Sequence, residues 1–148
     1  MVKMFIKEQN FLGLDLGEKT LGISFSQFGI IAKNLKTIKF QRHQYHQLVL
    51  PLSKIITELN INTIVLGDPK HMNNNIGIKS KISISFSKRI KKSFPFVQIV
   101  LWDERLSTKE AINNMYQAQY KKTKIFKLKD EMAAKVILQN FLNYHKSI

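Results

Sequence analysis

The 148-residue chain contains no cysteine. Neither a disulfide framework nor a thiolate metal site can hold its fold, and a reducing compartment poses it no difficulty. Also missing is any stretch approaching the eighteen or more apolar residues of a membrane span. At the N-terminus, Lys3 interrupts the only would-be apolar region of a leader, so no export signal is expected and the expected location is cytoplasmic. Acids are scarce: 10 Asp and Glu stand against 24 Lys and Arg, a formal net charge of +14.

What is present is the composition of an ordinary globular protein, 44% hydrophobic and 10% aromatic. At this length a single domain spanning residues 1–148 with one sizeable core is expected. The basic excess attracts polyanions and supports sequence-independent contact with phosphate backbones. A lysine-, asparagine- and isoleucine-rich composition could also arise from codon bias, but codon bias does not explain distribution. Lys79, Lys81, Lys88, Arg89, Lys91 and Lys92 lie in one stretch without an acid, and Lys121, Lys122, Lys124, Lys127 and Lys129 repeat the pattern. Two basic patches are expected, with nucleic acid as the partner.

Hydrophobic periodicity supplies the elements. Residues 11–16 form a short apolar run ended by Gly17, and Leu21, Ile23 and Phe25 alternate with small residues, giving two strands joined by a tight turn. Residues 30–38 read as an outer strand of the same antiparallel meander. Apolar positions from Tyr45 to Leu59 follow one helix face, with Pro51 requiring either a start near residue 50 or a bend. Residues 61–66, closed by Gly67-Asp68-Pro69, read as a buried parallel strand, and residues 71–77 as a polar loop. Residues 78–90 fit both strand and helix periods. A strand at 97–102 can lie parallel to the previous one only through a crossover, so residues 79–92 are read as helix. A short helix over 107–116, a mobile basic loop over 117–128 and a last helix over 130–144 complete the chain. The order implies an α/β fold: a five-stranded mixed sheet, order 3-2-1-4-5, with helices on both faces, an RNase H-like layout.

Five of the ten acids fall at element ends: Asp15, Asp68, Asp103, Glu104 and Asp130. If the first, fourth and fifth strands are parallel neighbours, their carboxyl ends form one rim, where ligands of open α/β sheets bind. Converging carboxylates are hard oxygen ligands suited to Mg²⁺ or Mn²⁺, and two such ions about 3.5–4 Å apart serve phosphodiester hydrolysis. Each acid alone has a plainer reading. Asp15 can bond a glycine turn, although alternation with Leu14 and Leu16 points it away from their core. Asp68 before proline suits a turn, Asp130 suits a helix N-cap, and Asp103 and Glu104 can pair with Arg105 or Lys109.

Four blocks carry a family resemblance: residues 12–17 through 21–24, residues 64–69, residues 103–111 beginning Asp103-Glu104-Arg105, and residues 130–139 beginning Asp130-Glu131. With them the chain resembles the YqgF family of RNase H-like proteins, described as Holliday-junction resolvases and as pre-16S ribosomal RNA nucleases. The resemblance implies that Asp15, Glu104 and Asp130 are metal-binding catalytic carboxylates and that Arg105 positions or neutralises phosphate. It implies precursor rRNA as substrate, with branched junction DNA as the alternative and the small ribosomal subunit as a further partner of a monomer or homodimer. A ribosome-assembly factor that binds RNA without cleaving it is the reading from another class. The chain departs from the family at Asp68, where an apolar residue is usual, and in the asparagine-rich loop after it. Asp68, like Asp103, is therefore a candidate additional metal ligand at the rim.

Overall fold

The computed structural model describes residues 9–69, 77–103 and 122–146, with residues 122–131 and 146 described by their backbone alone. Five strands form one sheet in the order β3-β2-β1-β4-β5. They are β1 (Phe11–Leu16), β2 (Thr20–Ser26), β3 (Lys33–Lys39), β4 (Thr63–Asp68) and β5 (Gln98–Asp103). β1, β2 and β3 pair antiparallel, while β1, β4 and β5 run parallel. The expected strand order and mixed pairing are thus present.

Alternation along these strands divides the core into two layers. Leu12, Leu14, Leu21, Ile23, Ile64 and Leu66 pack on one face against α1 (Val49–Glu58) and α2 (Ile78–Ser93). Val65 with Phe11, Val100 and Trp102 packs on the other face against Ile137, Leu138 and Phe141 of α3 (Lys122–Lys146). All six β4 residues are buried, which accounts for the near-continuous apolar run in its sequence. Among the described residues no helix is long and apolar enough to cross a membrane.

α1 begins at Val49, in keeping with the expected start near residue 50: a 3₁₀ turn (Tyr45–Leu48) leads directly into it, and Pro51 falls in its first turn, where a missing N–H costs nothing. Several other elements differ from the sequence expectation. β3 begins at Lys33 rather than at residue 30, because Phe28 and Gly29 both take positive φ and leave Ile30 and Ile31 exposed outside the ladder. β4 includes Gly67 and Asp68, which the sequence assigned to a turn; pairing with Gly67↔Trp102 and Asp68↔Asp103 carries the strand on until Pro69. Residues 122–128, expected as a mobile loop, are the opening turns of α3. No glycine or proline occurs from Lys122 to Lys146, and lysine is a good helix former, so nothing stops the helix there. The expected helix over 107–116 lies outside the described residues, as does most of the 71–77 loop.

Candidate active site at the carboxyl rim of the parallel strands

Three parallel neighbours end on one rim, with Asp15 near the end of β1, Asp68 ending β4 and Asp103 ending β5. The two faces of the sheet separate these acids. Gly13 and Ser24 face α3: a Cβ on Gly13 would meet the Ala134 carbonyl and Leu138 Cβ, each at 2.7 Å, and Ser24 Oγ donates to the Ala134 carbonyl at 2.7 Å. Asp15, two residues after Gly13, therefore projects from the α3 face. It is paired across β2 with Gly22, and on the other side it is level with Gly67, one step beyond the last β1–β4 pair, Leu14↔Leu66. Gly67 in turn pairs with Trp102. The carboxylate thus has side-chain-free neighbours on both flanking strands, which leaves room for an ion and a phosphate group to approach.

α3 supplies the second element of the site. Ala134 and Leu138 sit over Gly13, and the Phe141 ring lies 6.0 Å from that of Phe11, so the helix runs antiparallel to β1. Its N-terminal direction leads toward Asp15. Asp130, one helical turn before Ala134, spans about 6 Å of helix, close to the rise of two strand residues from Gly13 to Asp15. Its backbone is accordingly at the rim. It lies within α3 rather than capping it, which removes the N-cap reading. Glu104 and Arg105 directly follow β5 and lie outside the described residues, as does Lys121.

Asp68 occupies a different position. It shares the face of Ile64 and Leu66, is 5% exposed, and accepts a 2.6 Å hydrogen bond from Ser80 Oγ in the first turn of α2. That turn contains no acid and its N-cap, Gly77, offers no side chain, so Asp68 supplies negative charge to the helix N-terminus from across the crossover. Asp103, its register partner, is on the same face. The rim therefore does not bring Asp68 and Asp103 together with Asp15 on one face. Among the described residues no three His, Asp or Glu side chains gather as a metal cage. What the described donors do offer is an oxygen ligand in an open, glycine-flanked cradle, a chemistry that fits a hard divalent cation.

The basic residues expected on α2 are arranged by helical period. Lys81 and Arg89 lie on one side with Ile78, Ile82 and Ser85, facing Tyr45. Lys88, Lys91 and Lys92 lie on the other, over the β5 edge. Lys91 is already engaged in the fold, its ammonium donating to the Val97 carbonyl at 2.9 Å and the Pro95 carbonyl at 3.2 Å. Lys79 lines a cleft of about 220 Å³ together with Asp15, Gly17 and Tyr45. Lys122 and Lys124 belong to the first turn of α3 rather than to a loop. Sequence reading had assigned Tyr45 only to a helix face; its place beside Asp15 follows from the packing of the 3₁₀ turn. Gly22 and Gly67 acquired their meaning only once strand register was known.

Comparison with known proteins bears on this arrangement. Residues 9–144 match the family model described as "RuvX: Holliday junction resolvase". The chain belongs to the RuvX family. The YqgF resemblance of the four sequence blocks is to this same family. Relatives named "Putative pre-16S rRNA nuclease" include one from Aster yellows witches'-broom phytoplasma, 59% identical over 135 residues, covering 91% of this chain and 89% of the relative. Another, from Staphylococcus epidermidis, is 39% identical over 137 residues, covering 92% and 96%. Among solved structures, Thermus thermophilus RuvC superposes with a TM-score of 0.56 at 10% identity, covering 94% of this chain and 97% of that one. RuvC in complex with a Holliday junction substrate gives 0.54 at 11% identity, covering 87% and 91%. The RuvX-family chain has an RNase H-like fold.

Proposed function

We propose that this RuvX-family chain is a metal-dependent endonuclease that hydrolyses phosphodiester bonds in structured nucleic acid, with precursor 16S rRNA as its substrate. The observation that carries the reading is Asp15: a carboxylate on the central strand, flanked by Gly22 and Gly67, at the end of β1 toward which α3 carries Asp130. Asp15, Glu104 and Asp130 are assigned as the ligands of Mg²⁺ or Mn²⁺, and Arg105 as a phosphate contact. Such ions, when bound, lower the pKa of a coordinated water and stabilise the leaving oxygen. The protein's own contribution is to hold carboxylates on rigid elements, a strand and a packed helix, and to draw the polyanion in with its excess of Lys and Arg. Asp68 and Asp103 are left out of this set because they project from the opposite face.

The names of the relatives support the RNA substrate, and the description of the family model supports junction DNA as the second reading. Either substrate places the chain in the cytoplasm, the first of them on the assembling small ribosomal subunit. The test compares wild type with Asp15→Asn on labelled precursor rRNA and on a four-way DNA junction, each with Mg²⁺ or Mn²⁺. Cleavage of the RNA by wild type alone is the expected result. Equal cleavage by both proteins would remove Asp15 from the site, and RNA binding without cleavage by wild type would favour the assembly-factor class.

A further inference from the structure

The cleft at Asp15 does not end at the rim. Tyr45 and Ile82 line it and also line a second cleft of about 240 Å³, whose other walls are Ile78, Lys81, Ser85, Phe86 and Arg89. The two share a boundary, so one groove runs from the rim, which it meets at Asp15 on the face opposite the one from which that carboxylate projects, past Tyr45 onto α2. Its floor is apolar and aromatic, and its α2 margin is cationic at Lys79, Lys81 and Arg89. Among the described residues the one acid lining it besides Asp15 is Glu18, which is ion-paired to Arg42 at 3.0 Å. Tyr45 packs among other rings, its own 5.6 Å from that of Phe40 and 6.5 Å from that of Phe86. Burial, with the charge of Glu18 adding to it and that of Arg42 opposing it, pushes its phenol above the ordinary value.

A flat apolar surface bordered by spaced cations suits a ligand that alternates flat rings with negative charges, which is a single nucleic-acid strand. Charge complementarity selects it over a peptide or lipid, since every charged residue that α2 contributes to the groove, among the described residues, is basic. Ile78, 78% exposed at the groove mouth, has no role in either core layer and adds apolar surface where the strand would enter. We infer that this groove binds a single-stranded flank next to the scissile bond, with a base stacked on Tyr45 and the adjoining phosphates on Lys79, Lys81 and Arg89. The inference rests on the nuclease reading for the position of the scissile bond; the binding itself does not require cleavage. It also divides the α2 cations by task. Lys81 and Arg89 track the flank, whereas Lys88 and Lys92 face away over β5.

Anisotropy of two labelled RNA duplexes, one blunt and one with a short single-stranded overhang, measured in EDTA, tests this. Wild type is expected to prefer the overhang. Tyr45→Leu should lower overhang affinity by roughly 5- to 150-fold, the value of one stacked base, and leave the blunt duplex unchanged. Tyr45→Phe, which keeps the ring, should restore it. The pair Lys81→Ala and Arg89→Ala should reduce the slope of log affinity against log salt for the overhang by about 1.4, whereas Lys88→Ala with Lys92→Ala should weaken both ligands alike. If Tyr45→Leu fails to fold, the exposed Ile78→Glu serves in its place and is expected to abolish the preference. No overhang preference in wild type, or its survival in Tyr45→Leu and Ile78→Glu, overturns the inference. Failure of the nuclease reading would look different: no cleavage with metal, and the overhang preference intact.

Discussion

Asp15, next to last in β1, and Asp68, last in β4, lie on the same rim, yet a step of one residue in strand register separates their chemistry. Asp15 follows Gly13 onto the α3 face, while Asp68 follows Leu66 onto the α2 face and binds Ser80. Removing the Asp68 carboxylate leaves the Ser80 hydroxyl, 1% exposed, without its acceptor. Asp68→Ala is therefore expected to cost about 1–3 kcal/mol, read as a lower urea midpoint, and Asp68→Asn less because its amide oxygen still accepts. In neither variant should the Mg²⁺ concentration for half-maximal cleavage move; a shift in Asp68→Asn would return Asp68 to the metal site. Gly13 is the complementary case. A methyl group there meets the Ala134 carbonyl and Leu138, so Gly13→Ala should push α3 off β1 and cost about 1–3 kcal/mol in the same urea assay. Because α3 brings Asp130 to the rim, the surviving folded fraction should also cleave more slowly. None of this was visible in the dipeptide Asp68-Pro69, which reads as a turn until the β5 pairing is known.

Elements were legible where the hydrophobic period was clean and buried on known sides. β1, β2 and α2 fall where Leu12, Leu14, Leu21, Ile23, Phe86 and Ile90 place them, and the ambiguous 78–90 stretch was resolved by the crossover that two parallel strands require. The start of α3 was not legible, since lysines at 122, 124, 127 and 129 interrupt any simple apolar face and Asp130 offered a plausible cap. β3 was displaced for a different reason, the positive φ of Phe28 and Gly29. Among the described residues that strand is an edge of the sheet, and Lys33, Lys36 and Lys39 stand along it, exposed. Charged edge residues block pairing with another sheet, so part of the basic excess answers to solubility rather than to nucleic acid. Replacing Lys33, Lys36 and Lys39 with Val should produce concentration-dependent light scattering without changing the salt slope of RNA binding. A reduced slope with no scattering would assign these lysines to the substrate instead.

At the scale of the molecule, the sheet is divided between two tasks. Its antiparallel half, β3 and β2, closes the core and presents a protected edge, while its parallel half, β1, β4 and β5, collects strand ends and acids on one rim. Around that rim the charge is of the opposite sign: α2 opens on Lys79 and Lys81 and α3 on Lys122 and Lys124, while Lys88, Arg89 and Lys92 lie in the far half of α2, which returns to the start of β5. A polyanion is drawn to the positive surroundings, and the few carboxylates within them are left to hold cations. The net charge of +14 was compatible with mere compositional bias, and only its placement argues for use. Salt dependence measures that use directly. If about 6–10 phosphates are neutralised, affinity for duplex substrate should fall by about 10³–10⁵ between 50 and 200 mM salt, a log–log slope several times that of a single contact. Anisotropy titrations with the Asp15→Asn protein, which keeps the cations and is expected not to cleave, give the slope without loss of substrate. A slope equivalent to only one or two phosphates would mean that the lysines are distributed for solubility, and that the rim captures its substrate by shape and metal contacts alone.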